Sequence, residues 1–176
     1  LLIELASAGL LLAGYGNNYP PPTGSGNRPP KILNFDTMYA VEGPFLGAGA
    51  PIRGVAGDTL PWKVRKVKGS LDTAGHLRIA VHGLVFADDP SVPAELRGKN
   101  DETEFRGLVS CLTVQGDQVV TVNLESAGFP ATTSGNSNIR ATLSLPNPCL
   151  TPIVMVLAGS SESWFTVVGS LSAQQP

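Results

Sequence analysis

The chain has 176 residues and a mass of 18.3 kDa, is 42% hydrophobic and 15% charged, and sets 12 Lys and Arg against 14 Asp and Glu for a net charge of −2. That is enough for one domain with a real core and too little for two large ones. The near-neutral balance excludes a general nucleic-acid binder, the apolar fraction excludes disorder throughout, and 20 Gly with 15 Pro speak against a helical bundle.

The chain opens Leu1-Leu2-Ile3-Glu4-Leu5, and its apolar run ends near Tyr15. This is shorter than the roughly 20 residues that span a bilayer, and it has the length of the apolar core of a secretory signal. A Pro/Gly-rich tract follows, from Pro20-Pro21-Pro22 to Pro29-Pro30, with the composition of a linker. The expected organisation is an export, anchor or assembly segment over 1–16, a linker over 17–30, a β domain over 31–171 and a tail over 172–176. Leu11-Leu12-Ala13-Gly14 resembles the beginning of a bacterial lipobox, but Tyr15 stands where the lipid-bearing Cys belongs, so lipidation is not expected. Leu2-Ile3-Glu4-Leu5 resembles the N-terminus of type IV pilins, whose apolar helix packs in a filament core around a Glu. That resemblance implies self-association through residues 1–16. Membrane contact is expected only if residues 1–16 are retained.

From Lys31 onward the apolar period is mostly two, the period of strands with one buried face. In Trp62-Lys63-Val64-Arg65-Lys66-Val67-Lys68-Gly69-Ser70-Leu71 the phase slips, and a bulge near Arg65-Lys66 would bring both apolar sets to one face. Asp72-Thr73-Ala74-Gly75 then predicts a hairpin turn into a strand over 76–85, with Leu77, Ile79 and Val81 inward. Pro93-Ala94-Glu95-Leu96-Arg97 is compatible with a single helical turn in the long connection over 87–104. Leu108-Val109-Ser110-Cys111-Leu112 and Ile153-Val154-Met155-Val156-Leu157 are apolar on both parities and predict central strands. Val120, Val122 and Leu124 alternate with Thr121 and Asn123, and Ile139-Arg140-Ala141-Thr142-Leu143-Ser144-Leu145 alternates throughout. Trp164-Phe165-Thr166-Val167-Val168 reads as the last strand. The fold class is therefore all-β: one antiparallel sandwich or barrel of about eight or nine strands.

Much of this region is similar to secreted bacterial β-domain proteins of unknown function. The resembling elements include Phe35-Asp36-Thr37-Met38, Leu60-Pro61-Trp62, His82-Gly83-Leu84-Val85, Val109-Ser110-Cys111-Leu112, Pro148-Cys149-Leu150-Thr151-Pro152-Ile153 and Trp164-Phe165. The resemblance implies secretion and paired cysteines, and no activity. Independently, Cys111 and Cys149 are an even pair without C-x-x-C spacing. In an exported chain the default is one disulfide, the alternative being two buried thiols.

No credible catalytic constellation stands out. Nucleophile elbows and phosphate loops are absent from the sequence. His76 and His82 are six apart on one predicted strand face, about 20 Å, too far for one metal ion. Two surfaces remain. Asp88, Asp89, Glu95, Asp101, Glu102 and Glu104 cluster in the long connection, where a loop can supply oxygens to Ca²⁺; the competing expectation is a solvated acidic loop, and no metal or cofactor is assigned. Lys63, Arg65, Lys66 and Lys68 form the densest basic cluster. A basic strand can bind an anionic glycan, but protection of a sheet edge or pairing with the acidic loop is the preferred reading of it here. The expectation is a non-enzymatic extracellular structural protein: a surface, matrix or filament subunit that does not bind nucleic acid. The alternatives are a secreted module for a cation or an anionic glycan, and a small hydrolase using Asp88, Asp89 or Glu95 with His82.

Overall fold

The computed structural model describes residues 28–169. The expectations for residues 1–16, for most of the linker and for the tail lie outside the described residues. Among the described residues there are twelve strands: β1 (Lys31–Phe35), β2 (Met38–Ala40), β3 (Trp62–Lys63), β4 (Lys66–Asp72), β5 (His76–His82), β6 (Val85–Phe86), β7 (Glu104–Gln115), β8 (Gln118–Glu125), β9 (Phe129–Pro130), β10 (Ser137–Thr142), β11 (Leu150–Ala158) and β12 (Trp164–Val168). A 3₁₀ turn occupies Gly43–Phe45, with Pro44 fixing the backbone for the turn. Every strand pairing between named strands is antiparallel.

Two sheets form a sandwich. One has four strands in the order β1-β4-β5-β10; the other has six, in the order β2-β12-β11-β7-β8, with β9 also on β7. The sheets do not close into a barrel. β3 and β6 form a separate two-stranded ladder.

The alternation seen in the sequence decides which faces meet. Val67 and Leu71 of β4, Leu77, Ile79 and Val81 of β5, and Ile139 of β10 are buried, while the intervening polar residues of β4, β5 and β10 are mostly exposed. Gly107, the fourth residue of β7, faces the four-stranded sheet. A Cβ there would lie 2.8 Å from Leu77 Cδ2 and 3.2 Å from Ile139 Cγ2, so a side chain at this point would have to displace those methyl groups. By parity Phe105, Val109 and Cys111 share that inward face, and all are fully buried.

Leu108 and Ser110 on the opposite face of β7 are also fully buried. Their cover comes from the segment over 41–61. The Arg53 guanidinium donates to the Thr151 hydroxyl on β11 at 2.9 Å, and the Arg53 carbonyl accepts from Asn123 Nδ2 on β8 at 3.1 Å. Since β11 and β8 flank β7, this segment passes over the outer face of the central strand. This is why β7 and β11 read as apolar on both parities.

The phase slip at Arg65-Lys66 is a strand break, not a bulge. Gly83 adopts φ +70°, and the Arg65 amide is shared between the carbonyls of His82 and Gly83. The chain therefore leaves the four-stranded sheet, and Trp62 pairs with Phe86 in the small ladder. Trp62 stacks on Phe165 at 3.9 Å and lies 4.2 Å from Phe86, while Phe105 meets Phe165 edge-on at 5.8 Å. This aromatic group belongs to the core. The predicted turn at Asp72–Gly75 is present: Gly75 has φ +79° and donates to the Asp72 carbonyl at 3.0 Å. Pro93–Arg97 forms a hydrogen-bonded turn, the Leu96 amide donating to the Pro93 carbonyl at 2.9 Å. Cys111 and Cys149 are joined in a disulfide that closes a separation of 38 residues, which is compatible with an extracellular location. Among the described residues no helix is long and apolar enough to cross a membrane.

Candidate functional site

The outer face of the four-stranded sheet concentrates positive charge. Directly paired residues in a ladder share a face. The registers Asn34↔Ser70, Ser70↔Arg78 and Arg140↔Arg78 place one row across all four strands. The next row is Lys68↔Ala80↔Asn138, then Lys66↔His82. On the other side, Lys31↔Asp72 continues into His76 and Thr142. Lys31, Lys66, Lys68, Arg78 and Arg140 are all exposed. The four strands thus carry five cations and one carboxylate, a net charge of +4, in a chain whose net charge is −2.

The carboxylate does not neutralise the face. Asp72 is spent on its own hairpin: it accepts from the amides of Ala74 and His76 at 3.0 Å and meets His76 Nδ1 at 2.9 Å. Slight burial works to raise its carboxyl, but the His76 contacts and the Ala74 amide outweigh it, and the net direction is down. Lys31, Lys66, Lys68, Arg78 and Arg140 are in no ion pair among the described residues. Arg78 and Arg140 stand directly opposite each other, an arrangement that is destabilising unless something negative lies over it.

The face is also shaped. Small residues (Gly69, Ser70 and Ala80) floor a shallow depression of about 240 Å³, rimmed by Lys31, Lys68, Arg78 and Arg140, with Asn34 and Asn138 as hydrogen-bonding groups. A second depression of about 370 Å³ continues it past Arg28, Asp72 and His76 and shares Lys31, Ser70 and Arg78 with the first. A third, lined by Arg65, Lys66 and His82, lies at the other end of β4 and β5. Gly69 is enforced from the inner side, where a Cβ would meet the Phe35 ring at 2.1 Å.

Lys66 and Lys68 lie on β4 past the end of its ladder with β1, which stops at Phe35↔Gly69, and among the described residues they pair with β5 alone, so the expected protection of an open strand edge is compatible with their position. They do not pair with the acidic connection, whose one ion pair among the described residues is the 4.0 Å contact of Asp88 with Arg97. Lys63 lies on β3, in the separate ladder, and Arg65 in the break that follows. Both are exposed. Arg78, Arg140 and Lys31 were missed because their neighbourhood depends on which strands pair.

The acidic connection does not act as one cluster. Asp89 accepts from the Ser91 hydroxyl at 2.7 Å and the Ser91 amide at 2.8 Å, and these bonds hold its carboxyl below the usual range. Asp88 faces Arg97, and Glu95 is exposed in the following turn. Glu102 accepts from the amide and hydroxyl of Ser160. Glu104 begins β7 and packs its carboxylate where a Cβ on Gly128 would lie. Asp101 and Glu102 instead approach a residue the sequence reading did not single out, Asp58. Burial raises the Asp58 carboxyl, with the charge of Glu102 adding, against the lowering contacts of the Leu60 amide, Trp62 and the Thr59 amide. The Trp62 indole N–H lies near enough to lower Asp58 without making a hydrogen bond of its own. Burial likewise raises Asp101, with Glu102 and Asp58 adding to it against its own backbone amide. Among the described residues no three His, Cys, Asp or Glu side chains come together in a way that could hold a metal ion. Among the described residues His82 makes no ion pair with Asp88, Asp89 or Glu95; it lines a depression with Arg65 and Lys66.

Comparison with known proteins adds no relationship: no family model, curated protein or solved structure matches the chain.

Proposed function

We propose that this is a secreted, non-enzymatic surface or matrix protein whose four-stranded sheet holds an acidic polysaccharide. The observation that carries the reading is the unneutralised row Arg78–Arg140 with Lys68 beside it, set around a polar depression. Arg presents a planar fork of donors that matches sulfate and carboxylate groups. Lys68 and Lys31 add point charges, and Ser70, Asn34 and Asn138 supply hydrogen bonds of the kind sugar hydroxyls accept. A flat, open face of this sort suits an extended chain of repeated anionic groups better than a small molecule, which requires enclosure. Nucleic acid fits less well. The strands' outer face offers no Phe, Tyr or Trp for bases to stack on. The disulfide favours an oxidising compartment, where anionic matrix polymers occur.

The test is binding of dextran sulfate as a probe, with neutral dextran as control, across a salt series. Wild-type protein is expected to bind the sulfated polymer at low ionic strength, with affinity falling log-linearly with salt. Arg78→Gln and Arg140→Gln are each expected to reduce the slope by about one released counterion. The triple change Lys68→Gln, Arg78→Gln, Arg140→Gln is expected to abolish binding. Equal binding by the triple variant, or no binding by the wild type at low salt, overturns the proposal.

A further inference from the structure

We infer that β8 is a self-association edge, joining two copies of this chain through antiparallel β8–β8 pairing into one continuous sheet. This goes beyond the polysaccharide reading and rests on a different sheet.

The two sheets have four lateral edges, and three are blunted. β1 begins behind Pro29-Pro30, carries Lys31 and slips register between Lys31 and Leu33. β2 has three residues. β10 carries Arg140 on a strand of six residues. β8 runs for eight residues with no Lys, Arg or Pro, and its eight pairs with β7 show no register shift. Natural edges of this length are normally disrupted by charge, proline or a bulge, because their open backbone groups invite another strand. The carboxylate of β8, Glu125, is already held by Arg106 at 2.7 Å.

Ser126 fixes which backbone groups are open. Its amide donates to the Gly107 carbonyl at 2.8 Å, so Leu124, Val122, Val120 and Gln118 turn their backbone groups to β7. Val119, Thr121, Asn123 and Glu125 turn theirs outward. Among the described residues no other strand pairs with them.

The sequence is complementary to itself across a two-fold axis at Val122. In that register Thr121 lies opposite Asn123 of the second copy, Val119 opposite Glu125, and Val120 opposite Leu124, with Val122 opposite its own counterpart. The whole strand is used, no like charges oppose each other, and about eight ladder hydrogen bonds form. The register also supplies the missing cover. Val120, Val122 and Leu124 are only half-buried, whereas their β7 partners Thr113, Cys111 and Val109 are 4%, 0% and 0% exposed. The second copy sets the same apolar row beside them. A symmetric contact of this kind closes at a dimer.

Sedimentation equilibrium of the full chain over a micromolar-to-millimolar series tests the inference, together with amide hydrogen exchange at low and high concentration. A monomer–dimer equilibrium is expected, with amides of Val119, Thr121, Asn123 and Glu125 gaining protection as concentration rises. Thr121→Pro removes an outward N–H without touching the β7 ladder. Thr121→Lys places two cations diagonally across the axis and leaves the backbone unchanged, so it serves where the proline variant unfolds. Each is expected to move the dimer midpoint at least tenfold to higher concentration. A wild type monomeric throughout overturns the inference, as does a dimer that survives Thr121→Lys. Protection of those amides already in the monomer also overturns it, because the edge is then covered by a segment of the same chain.

Discussion

Arg140→Gln separates a cationic face kept for binding from one kept for stability, because the two readings predict opposite signs. Arg140 is exposed on β10, its direct neighbour on this face is Arg78, and it makes no ion pair among the described residues. Two unit charges held about 7 Å apart in water repel by about 0.6 kcal/mol, and a Debye length of about 10 Å at 0.1 M salt roughly halves this. Removing one charge is therefore expected to stabilise the fold by about 0.3–0.6 kcal/mol at low salt, within the usual range for like charges directly across a ladder. Urea unfolding read by tryptophan fluorescence measures it, since Trp62 and Trp164 are 2% and 0% exposed and urea leaves ionic strength unchanged. The gain is expected to vanish near 1 M salt, where the Debye length is about 3 Å. Adding Arg78→Gln to Arg140→Gln is expected to give no further gain from this pair, which a double-mutant cycle reads as coupling. Destabilisation by Arg140→Gln at low salt, or a gain that salt does not change, would refute the argument that this pair is an uncompensated repulsion.

Three further outcomes follow from the core and the acidic groups. Replacing Cys111 and Cys149 together by Ala opens a 38-residue separation and is expected to cost about 4 kcal/mol on the loop-entropy model, read by the same urea melts. Gly107→Val adds methyl groups against Leu77 and Ile139 and is expected to cost about 1–3 kcal/mol, as overpacking does. Asp58→Asn tests the burial of that carboxyl. A raised folded-state value means the protonated form is favoured in the fold, so the contribution is present below the ordinary aspartate value and is lost as pH rises through the folded one. The Asn carbonyl can still accept from the Leu60 amide, now bonded to Asp58 at 2.9 Å. Relative to the parent, Asp58→Asn is thus expected to gain stability as pH climbs from about 3 to about 7; thermal melts across that interval check it, and a flat difference would contradict it.

The legible parts of this fold are those set by local alternation. β5, β8 and β10 declare their faces residue by residue, and β7 and β11 declare themselves central by being apolar on both. Four strands of two or three residues (β2, β3, β6 and β9) are too short to carry a period, which is why twelve strands stand where eight or nine were expected. The break after Lys63 read as a bulge because both devices restore the same face; only the partner of Trp62, Phe86, distinguishes them. Lys66 and Lys68 were visible as a cluster because they are neighbours in sequence. Arg140 was not joined to them, because β10 reaches β5 across four intervening strands, and no local pattern encodes that register. Asp58 was hidden from Asp101 and Glu102 for the same reason. The open edge at β8 is written in composition, as a β-branched strand without Lys or Pro, but its meaning depends on knowing that nothing among the described residues lies beside it.

The most direct test of the central claim is a backbone amide NMR titration with a sulfated oligosaccharide. The account predicts shifts concentrated at Lys68, Ser70, Arg78, Ala80 and Arg140, saturating together and reversed by salt. Shifts confined to the acidic connection around Asp88–Glu104, or none on the four-stranded sheet at low ionic strength, would contradict it.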